Sequence, residues 1–220
     1  MDSTTAKPTL GYWKIRGLVT PIRYILNQAK VDFENVDYVL GDAPTFNSEP
    51  WTSVKFTLGL DFPNLPYFVD GEVKLTESLA IMRYIMNKWA PELAGKTTED
   101  KAIADMLVGV IGDLKSQTSS HCYGSGDKEA AVKNAEAKLE PIVKFLGAKH
   151  FIVGDYATFV DFFFFELLEL LDFISEGSLN KQYPTLAAYH SRVEELLKDS
   201  LPLERTLTFN NKVAKINNTV

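Results

Sequence analysis

The residues best suited to binding a ligand lie in the stretch LDFPNLPYFVDGEVKLTES, residues 60–78, and they would act through backbone atoms. Pro66 opens a short apolar run, and Asp70-Gly71 is a strong signal for a tight hairpin. A proline at the start of a strand leaves the backbone of Leu65 without its usual ladder partner, and an X-Pro bond can also be cis. Thr76-Glu77-Ser78 then precedes an apolar stretch at helical spacing, as an N-terminal cap should.

This arrangement predicts one exposed strand edge beside one helix N-terminus. A strand edge can pair with an extended peptide, and the N–H groups of a helix N-terminus favour a carboxylate. A small acidic peptide fits both features. The alternative is a hairpin that follows a prolyl turn and has no ligand.

The composition is that of a globular protein with a sizeable core, since 45% of the residues are hydrophobic and 24% are charged. The net charge of −6 makes nucleic acid a poor partner. One cysteine excludes an internal disulfide, a CxxC redox pair and a cysteine-rich zinc site. MDSTTAK lacks the apolar region of a secretory signal, and four acidic residues within 159–174 exclude a lipid span there. We expect a cytoplasmic protein with no membrane partner.

The elements that must position the site follow a βαβ–ββα order in residues 1–90. The predicted elements are a strand at Thr9–Lys14, a helix from Thr20-Pro21, a strand over Phe33–Val39, an irregular segment from Gly41 to Gly59, the hairpin, and a helix from about Ser78 to Trp89. The first two strands should form a right-handed parallel unit, to which the hairpin adds antiparallel strands.

Residues 91–97 form the best candidate for a linker, and the chain from 98 to 220 is predicted to be helical. Helices are expected from Thr98 to about Tyr123, from Asp127 to about Gly147, after the capping box Thr158–Asp161, and from about Thr185 to Lys198. The almost wholly apolar helix after Thr158 should be the centre of this part's core. The tail from Leu201 has no clear period.

Several stretches resemble the cytosolic glutathione transferases, and the mu class in particular. They are GYWKIRG at 11–17, GDAP at 41–44 with Trp51 and Lys55, LGLDFPNLPY at 58–67, TES at 76–78 and TFVD at 158–161. The resemblance implies the glutathione transferase fold: an α/β thioredoxin-like N-terminal domain with a mixed sheet, followed by an all-α domain. It covers nearly the whole chain after about Pro8 and weakens past Leu201.

The resemblance implies that the Tyr12 hydroxyl donates a hydrogen bond to the thiolate of glutathione. A thiol with a pKa of about 8.5 is only a few per cent ionised at pH 7. A hydrogen bond to a charged group contributes about 1.5–3 kcal/mol, and one pKa unit corresponds to about 1.36 kcal/mol. One well-placed donor therefore suffices to lower the thiol pKa by about one to two units. The alternative is a tyrosine that only packs.

The family pattern also implies a set of residues that bind glutathione. These are Tyr12, Trp13, Leu18, Trp51, Lys55, Asn64, Leu65, Pro66, Glu77, Ser78 and Asp113. Asp113 would reach the γ-glutamyl ammonium from the partner subunit, unless it is a plain surface acid. Glu77 departs from the usual glutamine but can still accept from that ammonium. Ser48 stands where the mu loop often has a basic residue, which would weaken the hold on glutathione.

The residues implied for the electrophile are Ile15, Leu18, Ser119, Tyr123 and Phe209. Tyr123 would donate to charge that develops in the transition state, and Ser119 makes this wall more polar than is usual in the class. Phe62 and Arg83 resemble the dimer contacts of the class, although both could instead pack within one chain.

Five other residues are expected to stabilise the fold rather than to bind a ligand or a metal. Arg16 is expected to form a structural ion pair, and Cys122 to be a small buried hydrophobe. His121, His150 and His190 lack ligand spacing, so no metal is predicted.

The sequence therefore predicts a homodimeric mu-like glutathione transferase that adds glutathione, as co-substrate and without a cofactor, to small hydrophobic electrophiles. Two alternatives stay open: glutathione-dependent isomerisation or peroxide reduction on the same scaffold, and a binding protein without catalysis. The electrophile itself cannot be named from the sequence.

Overall fold

The structure is a computed structural model that describes residues 6–216. The segment 1–5, which carries most of the evidence against a signal peptide, lies outside the described residues, as do residues 217–220.

A four-stranded mixed sheet forms the first part of the chain, in the order β2-β1-β3-β4. The strands are β1 (Thr9–Trp13), β2 (Glu34–Tyr38), β3 (Tyr67–Asp70) and β4 (Val73–Thr76). β1 pairs parallel with β2 and antiparallel with β3, and β3 pairs antiparallel with β4. The predicted βαβ–ββα order is therefore confirmed.

Three helices accompany the sheet: α1 (Thr20–Gln28), α2 (Glu49–Thr52) and α3 (Ser78–Trp89). The bounds of α3 agree with the prediction. The segment from Gly41 to Gly59 was expected to be irregular throughout, and this is wrong, because it contains α2. A single helical turn is too short to show a hydrophobic period.

The hairpin turn lies one residue later than its sequence signal suggests. Asp70 pairs directly with Val73, so Gly71 and Glu72 are the two central residues. Gly71 has a φ of 59°, which suits the first central position of a hairpin turn. The glycine therefore determines the register of the turn, and Asp70 belongs to β3.

The remainder is helical, as predicted. A 3₁₀ turn at Pro91–Ala94 precedes α4 (Thr98–Ser120), a π-helical turn (His121–Ser125), α5 (Lys128–Leu146), α6 (Phe159–Ser175), α7 (Ser178–Gln182), α8 (Pro184–Leu197) and α9 (Leu201–Glu204). α7 and α9 were not predicted, since each has only one turn or little more. Across residues 6–216, no helix combines the length and apolar composition that a membrane crossing needs.

α6 is the centre of the core, and nearly all of its side chains are buried. Asp161 accepts the backbone N–H of Thr158 at 2.7 Å and its hydroxyl at 3.1 Å. The same carboxylate accepts the Ile152 N–H at 2.9 Å and the Tyr189 hydroxyl at 2.8 Å. The predicted cap at Thr158–Asp161 therefore has a second role. It holds both the segment before α6 and helix α8 to the start of α6.

Candidate active site

A cavity of about 760 Å³ lies between the end of the sheet, helices α4 and α6, and the C-terminal tail. All residues predicted for the electrophile line it, together with part of the predicted glutathione set. The predicted residues on its wall are Tyr12, Trp13, Ile15, Leu18, Ser78, Ser119, Tyr123 and Phe209. The predicted residues that do not line it are Trp51, Lys55, Asn64, Leu65, Pro66, Glu77 and Asp113.

Tyr12 lies near the end of β1 and is 7% exposed. Its Oη accepts a hydrogen bond from the backbone N–H of Leu18 at 3.3 Å. Burial raises the pKa of Tyr12 to about 12, although the Leu18 amide opposes this rise. The phenol is therefore protonated at neutral pH and can donate its proton to an anion in the cavity.

The turn after β1 brings Leu18 to Tyr12, and Gly17 makes this approach possible. Gly17 has a φ of 48°, a conformation that L side chains rarely adopt. A Cβ atom on Gly17 would also lie 2.8 Å from Tyr12 Oη. A side chain at this position would strain the turn and displace the hydroxyl.

Arg16 fixes the same turn to α6. Its Nε and one terminal nitrogen donate to the carboxylate of Glu166 at 3.0 and 2.7 Å, and both side chains are buried. A further contact reaches Glu169 at 3.3 Å, and the guanidinium lies 4.2 Å from the centre of the Phe209 ring. The structural ion pair predicted for Arg16 is present.

The prolyl segment differs from its prediction in one respect. The Leu65-Pro66 bond is cis. The N–H of Leu65, however, is not free, because it donates to Oδ1 of Asn64 at 2.9 Å. A short amide side chain competes well for a neighbouring backbone donor. A peptide that pairs with Leu65 through this N–H must therefore displace the Asn64 carbonyl.

Glu77 occupies the N-cap position of α3, but its side chain makes no capping hydrogen bond. The helix therefore begins where Thr76-Glu77-Ser78 predicts it, but without a capping hydrogen bond from the N-cap side chain. Glu77 has a φ of 69°, which is uncommon for a residue with a side chain. Such backbone outliers concentrate at ligand-binding sites. Ser78, the next residue, lines the cavity.

Trp51 lies in a cluster of aromatic rings next to the cavity. It is 6% exposed and stacks on Tyr67, with ring centres 6.0 Å apart and planes 19° apart. Its edge contact with Tyr38 has a centroid distance of 5.4 Å. Lys55, one turn further along the chain, has its Nζ 4.9 Å from the ring of the exposed Phe56.

One face of α4 contributes residues that the sequence analysis missed. Gly112, Lys115 and Ser116 line the cavity together with the predicted Ser119 and Tyr123. Their spacing of three and four residues is that of one helix face, and this period could have identified them.

The C-terminal tail forms another wall that sequence analysis recognised only at Phe209. The carbonyl of Thr208 accepts the N–H of Arg16 at 2.8 Å, and that of Phe209 accepts the N–H of Gly17 at 3.2 Å. The N–H of Asn211 donates to Tyr123 Oη at 2.9 Å. The tail therefore binds both the turn after β1 and the π-helical turn after α4. On the side of the tail all these contacts use backbone atoms, which leave no pattern in the sequence.

Three of the predicted residues outside this cavity are those assigned to the dimer contact or to the partner's site. Phe62 is 81% exposed on the loop before β3. Arg83 on α3 pairs with Asp105 on α4 at 2.7 Å. Asp113 is exposed on α4. Arg83 therefore already has a partner within the chain, while Phe62 leaves a large apolar ring in solvent.

Cys122 and His190, which were expected to have structural roles, lie in contacts of the fold itself. Cys122 is buried, and His190 Nε2 lies 2.7 Å from a carboxylate oxygen of Glu169. No group of three His, Cys, Asp or Glu side chains in residues 6–216 has a metal-binding arrangement.

The four-stranded mixed sheet with its helices, followed by a mostly helical region, is the glutathione transferase fold. The family models described as "Glutathione S-transferase, N-terminal domain" and "Glutathione S-transferase, C-terminal domain" match residues 8–87 and 112–198. The structure of the glutathione S-transferase Blo t 8 superimposes with a TM-score of 0.86 at 28% identity, covering 94% of this chain and 99% of that chain.

Curated relatives agree with this result. Glutathione S-transferase Mu 1 of Oryctolagus cuniculus is 40% identical over 195 residues, which cover 87% of this chain and 88% of that protein. Glutathione S-transferase Mu 5 of Mus musculus is 38% identical over 216 residues, which cover 95% of each. The chain belongs to the glutathione S-transferase family, as an enzyme of its mu class.

Proposed function

We propose that this enzyme joins glutathione to small hydrophobic electrophiles, and that the Tyr12 hydroxyl holds the reacting thiolate. The observation that carries the proposal is the buried phenol of Tyr12 on the cavity wall, whose pKa of about 12 keeps it protonated. A buried donor stabilises an anion more than an exposed donor does, because the local dielectric is low. With a chloronitroarene, the sulfur forms a bond to the ring carbon, chloride leaves, and the thiol proton passes to solvent.

Glutathione would occupy the side of the cavity next to the sheet. The N-terminus of α3 at Ser78 attracts the γ-glutamyl carboxylate. Leu65 would pair its backbone with the cysteinyl part after Asn64 Oδ1 has turned away, and its carbonyl would accept from the peptide. Trp51 and Lys55 would hold the glycyl carboxylate through an indole N–H and an ammonium group. No cofactor is required.

The electrophile would bind between the turn after β1, α4 and the tail. Ile15, Leu18 and Phe209 supply apolar surface, while Ser119 and Tyr123 supply hydroxyl groups. This mixture suits a flat apolar molecule that carries one polar substituent.

A homodimer would complete the site. Phe62 offers an exposed aromatic anchor of the kind that dominates protein interfaces. Asp113, which is exposed and does not line its own cavity, would reach the glutathione of the partner subunit. We also propose a cytoplasmic location. The chain would divide into a thioredoxin-like domain at 1–90, a linker at 91–97 and a helical domain at 98–220.

The variant Tyr12→Phe tests the role of the hydroxyl, because it removes one oxygen and keeps the ring. The pKa of the bound thiol is expected to rise by about one to two units, and the conjugation rate at neutral pH to fall roughly ten- to a hundredfold. The measurement is the thiolate absorbance of the glutathione complex, titrated against pH. Tyr183→Phe is the matched control, since its hydroxyl contacts the Glu136 carbonyl far from the cavity.

Superimposable titrations for wild type and Tyr12→Phe would refute the role of Tyr12. A wild-type protein that ionises the thiol but converts neither a chloronitroarene nor an enone would instead be a binding protein.

A further inference from the structure

Lys115 is a buried lysine on the wall of the cavity. Its side chain is 8% exposed, which is rare for lysine. No carboxylate of residues 6–216 lies within 4.0 Å of its Nζ. Its hydrogen bond goes to the backbone carbonyl of Gly17, at 3.2 Å. The proposed function gives this lysine no role.

The carbonyl that Lys115 binds belongs to the peptide unit that serves Tyr12. The C=O of Gly17 and the N–H of Leu18 are the two polar groups of one planar amide, and in a trans peptide they point to opposite sides. On one side, Lys115 Nζ donates to the carbonyl. On the other side, the N–H donates to Tyr12 Oη at 3.3 Å. The three groups form a continuous hydrogen-bonded chain.

Hydrogen bonds in such chains polarise one another. A donor on the carbonyl draws electron density from the amide nitrogen and makes its N–H a stronger donor, by about 10–30% per bond. A stronger bond from Leu18 in turn withdraws density from the phenol oxygen, which makes the Tyr12 O–H a better donor. Consistent with this direction, the Leu18 amide lowers the pKa of Tyr12 against the effect of burial.

We propose that Lys115 is a positioning residue that acts through the Gly17–Leu18 peptide to strengthen the Tyr12 hydroxyl as the donor to the glutathione thiolate. The inference rests on the proposed function. Lys115 holds the peptide in the orientation that Tyr12 needs, and its charge adds to the polarisation.

Other charged groups act on the same chain. Glu166 and Arg16 act on Lys115, and Arg23 acts on Tyr12, which also lies near the neutral phenol of Tyr123. Burial and the charge of Arg16 lower the pKa of Lys115, while the carboxylate of Glu166 favours its charged form. A cation at this position could also stabilise a thiolate directly through space, without Tyr12. The experiment must separate these two routes.

A double-mutant cycle separates them. Wild type, Lys115→Met, Tyr12→Phe and the double variant are saturated with glutathione, and the thiolate absorbance of each is titrated against pH. Lys115→Met is expected to raise the thiol pKa by about half a unit when Tyr12 is present, which is about 30% of the one to two units assigned to the hydroxyl. In the Tyr12→Phe background, the same substitution is expected to leave the thiol pKa unchanged.

An equal shift in both backgrounds would overturn the inference in favour of a direct effect of the charge. The absence of any shift in the Tyr12 background would overturn it in favour of a structural lysine. Failure of the proposed function has a different signature, because Tyr12→Phe alone would then leave the thiol pKa unchanged.

Two further variants keep the test valid if Lys115→Met does not fold. Lys115→Gln removes the charge and keeps an N–H donor, and it should raise the thiol pKa in the Tyr12 background only. Lys115→Arg keeps the charge and the donor, and it should stay close to wild type. Lys101→Met is the matched control, since it removes an exposed lysine from the other end of α4.

Discussion

Glu169 on α6 joins three parts of the chain, and its removal should destabilise the fold in a way that depends on pH. Its carboxylate accepts from Arg205 at 3.1 Å, contacts Arg16 at 3.3 Å, and lies 2.7 Å from His190 Nε2. Burial raises the pKa of Glu169, but the hydrogen bonds of His190 and Arg205 and the charge of Arg16 outweigh it, so that the pKa is lowered to about 2.

The lowered pKa determines the direction of the effect. The ordinary pKa of 4.5 applies to the unfolded chain, which therefore binds a proton more readily than the fold does. The contribution to the free energy of unfolding is fully present above about pH 4.5 and is lost as the pH falls towards 2. Its size follows from the difference between 4.5 and about 2, and amounts to about 3 kcal/mol.

The variant Glu169→Gln keeps the shape and removes the charge. We expect the free energy of unfolding at pH 7 to fall by up to about 3 kcal/mol, and its decrease between pH 4.5 and 2 to become shallower than in wild type. Urea unfolding at a series of pH values measures both quantities. Glu195→Gln is the control, because Glu195 is 71% exposed and forms its ion pair with the exposed Lys198. Unfolding curves with the same pH dependence for wild type and Glu169→Gln would refute the reasoning.

Three further predictions concern other parts of the molecule. Phe62→Ala should weaken self-association by a few kcal/mol and lower activity at low protein concentration, so a fully active monomer in sedimentation would contradict the shared site. Tyr123→Phe should slow epoxides and enones more than a chloronitroarene, because the former concentrate the developing charge on one oxygen, whereas a chloronitroarene spreads it over the ring and its nitro groups; equal losses in steady-state assays would mean that the hydroxyl donates nothing. Asp161→Ala should lower the free energy of unfolding by several kcal/mol, since it leaves buried donors of Ile152, Thr158 and Tyr189 unpaired; a loss below about 1 kcal/mol in urea unfolding would show that water replaces the carboxylate.

Most of the fold could be predicted from short-range patterns in the sequence. The bounds of α3 follow from apolar spacing, and the cap at Thr158–Asp161 follows from its capping residues; both patterns act over a few positions. The α4 residues on the cavity wall recur at helical spacing, so Lys115 and Ser116 could also have been predicted from the sequence.

Two features lay beyond sequence reasoning. The tail after Leu201 is held by backbone contacts to Arg16, Gly17 and Cys122, and any residue could supply those groups. The N–H of Leu65 is occupied by Asn64, a competition between a local side chain and a ligand that no hydrophobic pattern reveals. Both features depend on which backbone group meets which partner in three dimensions.

The aromatic cluster beside the cavity has an optical consequence. Trp13 is on the cavity wall and meets the ring of Tyr38 edge-on, and Trp51 stacks on Tyr67 next to it. The third tryptophan, Trp89, packs elsewhere, against Phe68 and Tyr84. Two of the three indoles in the chain therefore stand where a ligand would change their surroundings, while the third provides a steady background. Intrinsic fluorescence can thus follow the loading of the site without a label, and Trp13→Phe and Trp51→Phe would divide the signal between its two sources.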